Sequence, residues 1–119
     1  MEEIVKRITD ELLKDGIDVY PPASHKGECK SPYCVVKDEG AAKFRTFSTQ
    51  QRMYSIYCHV PVEMYLELDD FAKKCKTAVE RLAPMVMPTG LETPSFLDTV
   101  NNDYSKSVEY RCYARNKLL

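Results

Sequence analysis

The chain has 119 residues, 44% of them hydrophobic, which suits one domain that can bury a core without a metal or disulfide to staple it. A balance of 17 basic against 18 acidic residues gives a net charge of -1 and excludes a general nucleic-acid coat, which needs a basic surplus to neutralise phosphates. No apolar run approaches the ~20 residues of a membrane helix. The acidic start Met1-Glu2-Glu3-Ile4 lacks the apolar stretch of a signal peptide, so the expected setting is a cytoplasm or a larger assembly built there.

Residues 2–15 carry Ile4, Val5, Ile8, Leu12 and Leu13, a spacing that makes one apolar stripe on a helix. Glu2 and Glu3 suit the positive end of its dipole and Lys14 the negative end, with Gly16 as the cap. Residues 17–20 form a short extended run stopped by Pro21-Pro22, and 21–32 read as a loop. Residues 33–37 are β-branched and aromatic, hence a strand, and Asp38-Glu39-Gly40 reads as a turn. The polar stretch 41–50 fits either a strand or a mobile arm.

Residues 51–60 alternate with period two: Tyr54, Ile56, Cys58 and Val60 on a dry face, Met53, Ser55, Tyr57 and His59 on a wetter one. Residues 63–82 place Met64, Leu68, Phe71, Ala72, Cys75, Ala78, Val79 and Leu82 at helical steps, and Pro84 stops the helix. Its acids precede its bases, predicting i,i+4 pairs Asp69–Lys73 and Asp70–Lys74. Residues 85–87 lead to a turn at Pro88-Thr89-Gly90. A hairpin then spans 96–115, with a strand at 96–100, a turn at Asn101-Asn102-Asp103 and a second strand at 107–115. Val108, Tyr110, Cys112 and Ala114 face inward on that second strand. The expected fold is α+β: one mostly antiparallel sheet of about four or five strands covered by two helices, as a single domain over 1–119.

Five cysteines, an odd number, are expected to be free thiols. His25, Cys29 and Cys34 form the one metal-like group. Zinc would need a fourth ligand from Cys58 or His59, and loop and strand thiols account for the pattern as well. Cys58 and His59 are neighbours on a strand and point to opposite faces, so they make no nucleophile pair. Cys58, Cys75 and Cys112 fall on predicted core faces. The acids Glu63, Glu67, Asp69 and Asp70 lie among lysines on a solvated helix face. There is no glycine-rich phosphate loop and no Gly-x-Ser-x-Gly elbow. Neither an enzyme nor a cofactor is expected. Eight tyrosines and no tryptophan put Tyr57 and Tyr113 on outer strand faces near Arg52, Arg111 and Arg115, a combination found at protein interfaces and on ordinary half-exposed strands alike.

The order of pieces resembles that of the tail terminator (tail completion, neck) proteins of long-tailed bacteriophages and prophages. The likeness is carried by the amphipathic first helix, the Tyr-Cys-Val-Val strand at 33–36, and the stretch Tyr54-Ser-Ile-Tyr-Cys-His-Val-Pro61 running into helix 63–82. Leu82-Ala-Pro-Met-Val-Met-Pro-Thr-Gly90 and the closing pieces Phe96-Leu-Asp98 and Ser107-Val-Glu-Tyr-Arg111 complete it. The resemblance implies a structural virion protein of the tail or neck, assembled in the host cytoplasm. Such a protein forms a ring, expected to be hexameric, that caps the tail tube and joins it to the head-side connector. Its partners would be itself, the tube protein and the connector, with no membrane and no specific nucleic acid, although DNA passes through such a ring. Lys43, Arg45, Arg52, Tyr57, Arg111, Tyr113 and Arg115 are the candidate interface residues. The competing reading is a cytosolic adaptor domain that binds a partner through its sheet.

Overall fold

The computed structural model describes residues 2–22, 24, 27–43 and 49–115. The chain runs α1 (Glu2–Lys14), β1 (Val19–Tyr20), β2 (Tyr33–Lys43), β3 (Thr49–Pro61), a 3₁₀ turn (Val62–Glu67), α2 (Leu68–Glu80), β4 (Met87–Glu92), β5 (Phe96–Asp98) and β6 (Asp103–Arg115). The fold is α+β, with six strands in one open sheet ordered β1-β2-β3-β6-β4 and β5 also paired to β6. β1 joins β2 in parallel and every other pairing is antiparallel.

Periodicity builds the core. Ile8 and Leu12 of α1 and Leu68, Ala72, Cys75, Ala78 and Val79 of α2 are buried against one face of the sheet. That face carries Cys34 and Val36 of β2, Tyr54, Ile56, Cys58 and Val60 of β3, and Val108, Tyr110 and Cys112 of β6. Burying each of the larger aliphatic side chains contributes roughly 1.5–3 kcal/mol. Phe71 packs on this core from its margin. Leu13 departs from the expected stripe: it is exposed, because α1 presents only a narrow face and Leu12 occupies it. Gly16, with φ +75°, ends α1 in the left-handed conformation a side chain would resist, and Ile17 N–H closes on the Leu12 carbonyl at 3.2 Å.

Three local expectations are corrected and one open alternative is resolved. The helix read over 63–82 divides into the 3₁₀ turn and α2, with Met64 non-helical (φ -105°, ψ 25°) where the chain turns the corner out of β3. Val62 N–H is held there by the Asn102 carbonyl at 3.1 Å, which sets the tighter turn. The turn read at 38–40 is a β-bulge inside β2, since the register with β3 slips between Asp38 and Gly40. Of the open alternatives for 41–50, the described parts are strand, pairing Ala42 with Gln51 and Lys43 with Gln50. Finally, Asp69 pairs with Lys106 of β6 at 3.4 Å rather than with Lys73, because α2 lies across the sheet and brings a strand lysine within reach.

The sheet also exceeds the expected strand count. The turn expected at Pro88-Thr89-Gly90, where proline and glycine break any alternation, lies inside β4, which runs along β6 with Met87 opposite Arg111 and Glu92 opposite Val108. β6 begins at Asp103, earlier than the 107 expected, and pairs with β3 over its whole length from Pro61↔Asp103 to Thr49↔Arg115. At about 3.4 Å per residue, that ladder is about 44 Å long, whereas the 13 residues of α2 span about 20 Å. The helices therefore cover part of the ladder, and the β2–β3–β6 end at Lys43, Thr49 and Arg115 projects beyond them in a molecule measuring 51 × 26 × 24 Å.

Candidate interaction surfaces

The helices occupy one face of the sheet, so its other face and its two edges are the surfaces open to partners. The edges are unlike. On one side β1 pairs only with Cys34 and Val35, which leaves β2 from Lys37 to Lys43 as a free edge among the described strands. Lys37 and Glu39 on it are charged and exposed, and form an ion pair at 3.8 Å. On the other side β4 and β5 lie end to end along β6, linked by Thr93, whose N–H donates to the Ser107 carbonyl at 3.0 Å. This edge is apolar: Leu91, Leu97 and Met87 are exposed, as is Phe96 at 66%. Val100 and Leu66, each 88% exposed, extend the same character to the adjoining turns.

The candidate interface residues divide. Tyr57 lies on the outer face, half-buried, and its hydroxyl donates to Glu39 Oε2 at 2.5 Å across the bulge. Arg111 shares that face, opposite Met53 in the ladder. Arg52 has the parity of Tyr54 and lies on the other face, beyond the helices, where its guanidinium grips both oxygens of Asp38 at 3.0 and 3.3 Å. Asp38 in turn accepts from Gly40 N–H at 2.8 Å, so Arg52 pins the bulge. The Asp38 carboxyl sits below its ordinary value: burial works against ionisation, and Gly40 N–H and Arg52 outweigh it. The backbones of Lys43, Tyr113 and Arg115 lie on the projecting ladder; their side chains, Arg45 and His25 lie outside the described residues.

A groove of about 330 Å³ runs beside β5 on the outer face, lined by Tyr57, Thr93, Phe96, Ser105 and Ser107 among others. Its lining is mostly apolar, with the rings of Tyr57 and Phe96 set among serines and threonines and without a convergent set of acids and bases. A second groove, between α2 and β4, is rich in charge, and four of its groups pair with one another: Lys76 meets Glu92 at 2.7 Å, and Lys106 meets Asp69 and Glu92 at 3.4 and 3.7 Å. Lys76 is the main reason that the Glu92 carboxyl is held below its usual range.

Among the described residues, the histidine is part-buried and the cysteines are buried. His59 Nδ1 lies 3.1 Å from Asp103 Oδ2, and the Tyr33 ring stacks on the imidazole at 4.6 Å with 8° between planes. Cys29 is buried nearby, and burial followed by the Asp103 charge pushes its thiol up to about 11, the reverse of what an attacking thiolate requires. The Asp103 partnership escaped sequence reading because 101–103 looked like a polar turn.

The cysteines regroup as well. Cys34 does not join Cys29 in a metal-like set. It stands opposite Cys58 in the β2–β3 ladder, and Cys75 of α2 lies over both. The three Sγ atoms are all within 4.8 Å of one another, each residue wholly buried and each thiol free. Hydrogen bonding with Cys58 and Cys75, then burial, raises the Cys34 thiol well above its ordinary value. Cys75, which can receive S–H bonds from Cys34 and Cys58, is the sulfur on which negative charge would settle. Strand and helix parities marked Cys58 and Cys75 as core but not Cys34, and only docking of α2 brings the three together. No protein-family model matches the chain, and no curated protein resembles it closely enough to stand as a relative.

Proposed function

We propose that the chain is a non-catalytic assembly subunit that closes into a ring on the end of a phage tail tube, in the manner of the tail terminator proteins its order of elements resembles. The observation that carries this reading is the pair of unlike free edges on opposite sides of one sheet, one charged (Lys37–Lys43 of β2) and one apolar (Met87, Leu91, Phe96 and Leu97 of β4 and β5). A surface that differs from its partner surface makes head-to-tail contacts, and such contacts close into rings when the rotation fits. Exposed strand edges are templates for pairing with another chain unless covered, and an apolar one is the stronger liability in a free monomer. The projecting β2–β3–β6 ladder supplies a lever long enough to reach a neighbouring subunit or the tube.

The test is electron microscopy with light scattering on the purified chain, alone and mixed with tail tubes. Closed rings or capped tubes are expected, with assembly lost in a Leu91→Asp/Phe96→Asp variant that keeps its circular dichroism. A chain that stays monomeric and leaves tubes bare, or rings indifferent to those substitutions, overturns the reading.

A further inference from the structure

The geometry points to a ligand site inside the core: Cys34, Cys58 and Cys75 form a three-sulfur cradle for one soft, three-coordinate ion of the trivalent class, such as arsenic(III). It rests on the sulfur positions and is independent of the ring. Three elements deliver the ligands, β2, β3 and α2, and the three Sγ atoms lie within 4.8 Å of one another. Sulfurs bound at about 2.3 Å to a pyramidal trivalent ion stand about 3.5 Å apart, so each would move inward by up to about 0.8 Å. No histidine or carboxylate joins the group among the described residues, which suits a centre satisfied by three sulfurs and not a tetrahedral one.

Charge selects within the thiophilic ions. Soft thiolate sets favour soft metals in general, but this cradle is fully buried among Ile56, Val79 and their neighbours. Three thiolates around a monovalent ion leave two negative charges there, around a divalent ion one, and around a trivalent ion none. An uncompensated charge in an apolar interior is strongly penalised, so the neutral complex is preferred. The step balances without electron transfer: three S–H bonds and three As–O bonds of arsenous acid break, three As–S bonds form, and three waters leave. Because the cradle is closed, uptake requires the core to open, and it is slow in the folded protein and fast during refolding.

The experiment refolds the reduced full chain in arsenite, removes free arsenite by gel filtration and weighs the protein by native mass spectrometry. One arsenic gained for three hydrogens lost is expected, with X-ray absorption reading three sulfur neighbours. A Cys29→Ser/Cys112→Ser variant, left with only the three cluster thiols, should bind equally. Cys34→Ala, Cys58→Ala and Cys75→Ala variants should each bind at least tenfold more weakly. No arsenic retained by the wild type, fewer than three sulfurs in its absorption spectrum, or undiminished binding by Cys75→Ala overturns the site. Displacement of arsenic by equimolar zinc or copper(I) overturns the trivalent assignment. The wild-type mass and spectrum decide the matter even if an alanine variant fails to fold.

Discussion

Asp103 is the charged side chain most thoroughly withdrawn from water among the described residues, 1% exposed at the start of β6. A carboxylate there needs a strong partner, and His59, directed by the outer parity of β3, supplies one at 3.1 Å. The pair closes the end of the β3–β6 ladder, where Pro61 stands opposite Asp103. Removing the carboxylate leaves the imbalance of a buried group stripped of its partner, so Asp103→Ala is expected to cost about 1.5–3 kcal/mol. Urea unfolding measures it, and Asp103→Asn, which keeps an acceptor, should lose less. None of this was legible in the local sequence. Asn101-Asn102-Asp103 carries a turn signal, and the turn is present: Asp98 accepts from Val100 and Asn101 N–H at 2.9 and 3.2 Å. The partner that makes Asp103 structural comes from 44 residues away.

Among the elements, the β2 bulge shows how a local signal can be right in chemistry and wrong in consequence. Asp38-Glu39-Gly40 has the residues of a turn, and Gly40 does adopt φ +102°, a conformation that side chains resist. A hairpin does not form there because β3 continues past it and offers pairing on both sides of the irregularity. The extra residue, Glu39, is used to accept the Tyr57 hydroxyl. Gly40→Ala meets no neighbour, so its cost is backbone strain alone, about 1–2 kcal/mol. A shift of the urea midpoint with unchanged slope is the expected result. β4 illustrates the converse: Pro88 and Gly90 give it no strand pattern, and it is a strand because β6 has an edge left to fill.

For the whole molecule, one residue fastens the helical layer. Arg81, just past α2, donates to Glu11 Oε1 at 2.9 Å, to both Asp15 oxygens at 3.1 Å and to the Glu11 carbonyl at 2.9 Å, tying the end of α1 to the end of α2. Arg81 first, and Lys14 after it, lower the Glu11 pKa below its ordinary 4.5. A carboxyl depressed in the folded state contributes stability that is complete above its unfolded value and is lost as pH falls through the folded one. The gap in stability between wild type and Arg81→Gln is therefore expected to be widest near neutral pH. It should narrow as the pH drops below 4.5, as read from urea midpoints along a pH series. Salt should shrink the gap, since these groups face water.

By itself the sequence determined the amphipathic pieces: α1, the alternation of β3 and β6, and the stripe of α2 from Leu68 to Val79. Those patterns are set by backbone period and by the cost of wetting apolar side chains, both of which act over a few residues. It also determined that Cys58, Cys75 and Cys112 would be inside, and the structure adds Cys34 to them. Only the tertiary structure decided what they meet. Which sulfurs converge, which strand takes the spare edge of β6, and which edges remain free depend on how α2 docks and on strand register. Pairings between residues distant in the chain set both, and no short window of sequence contains them.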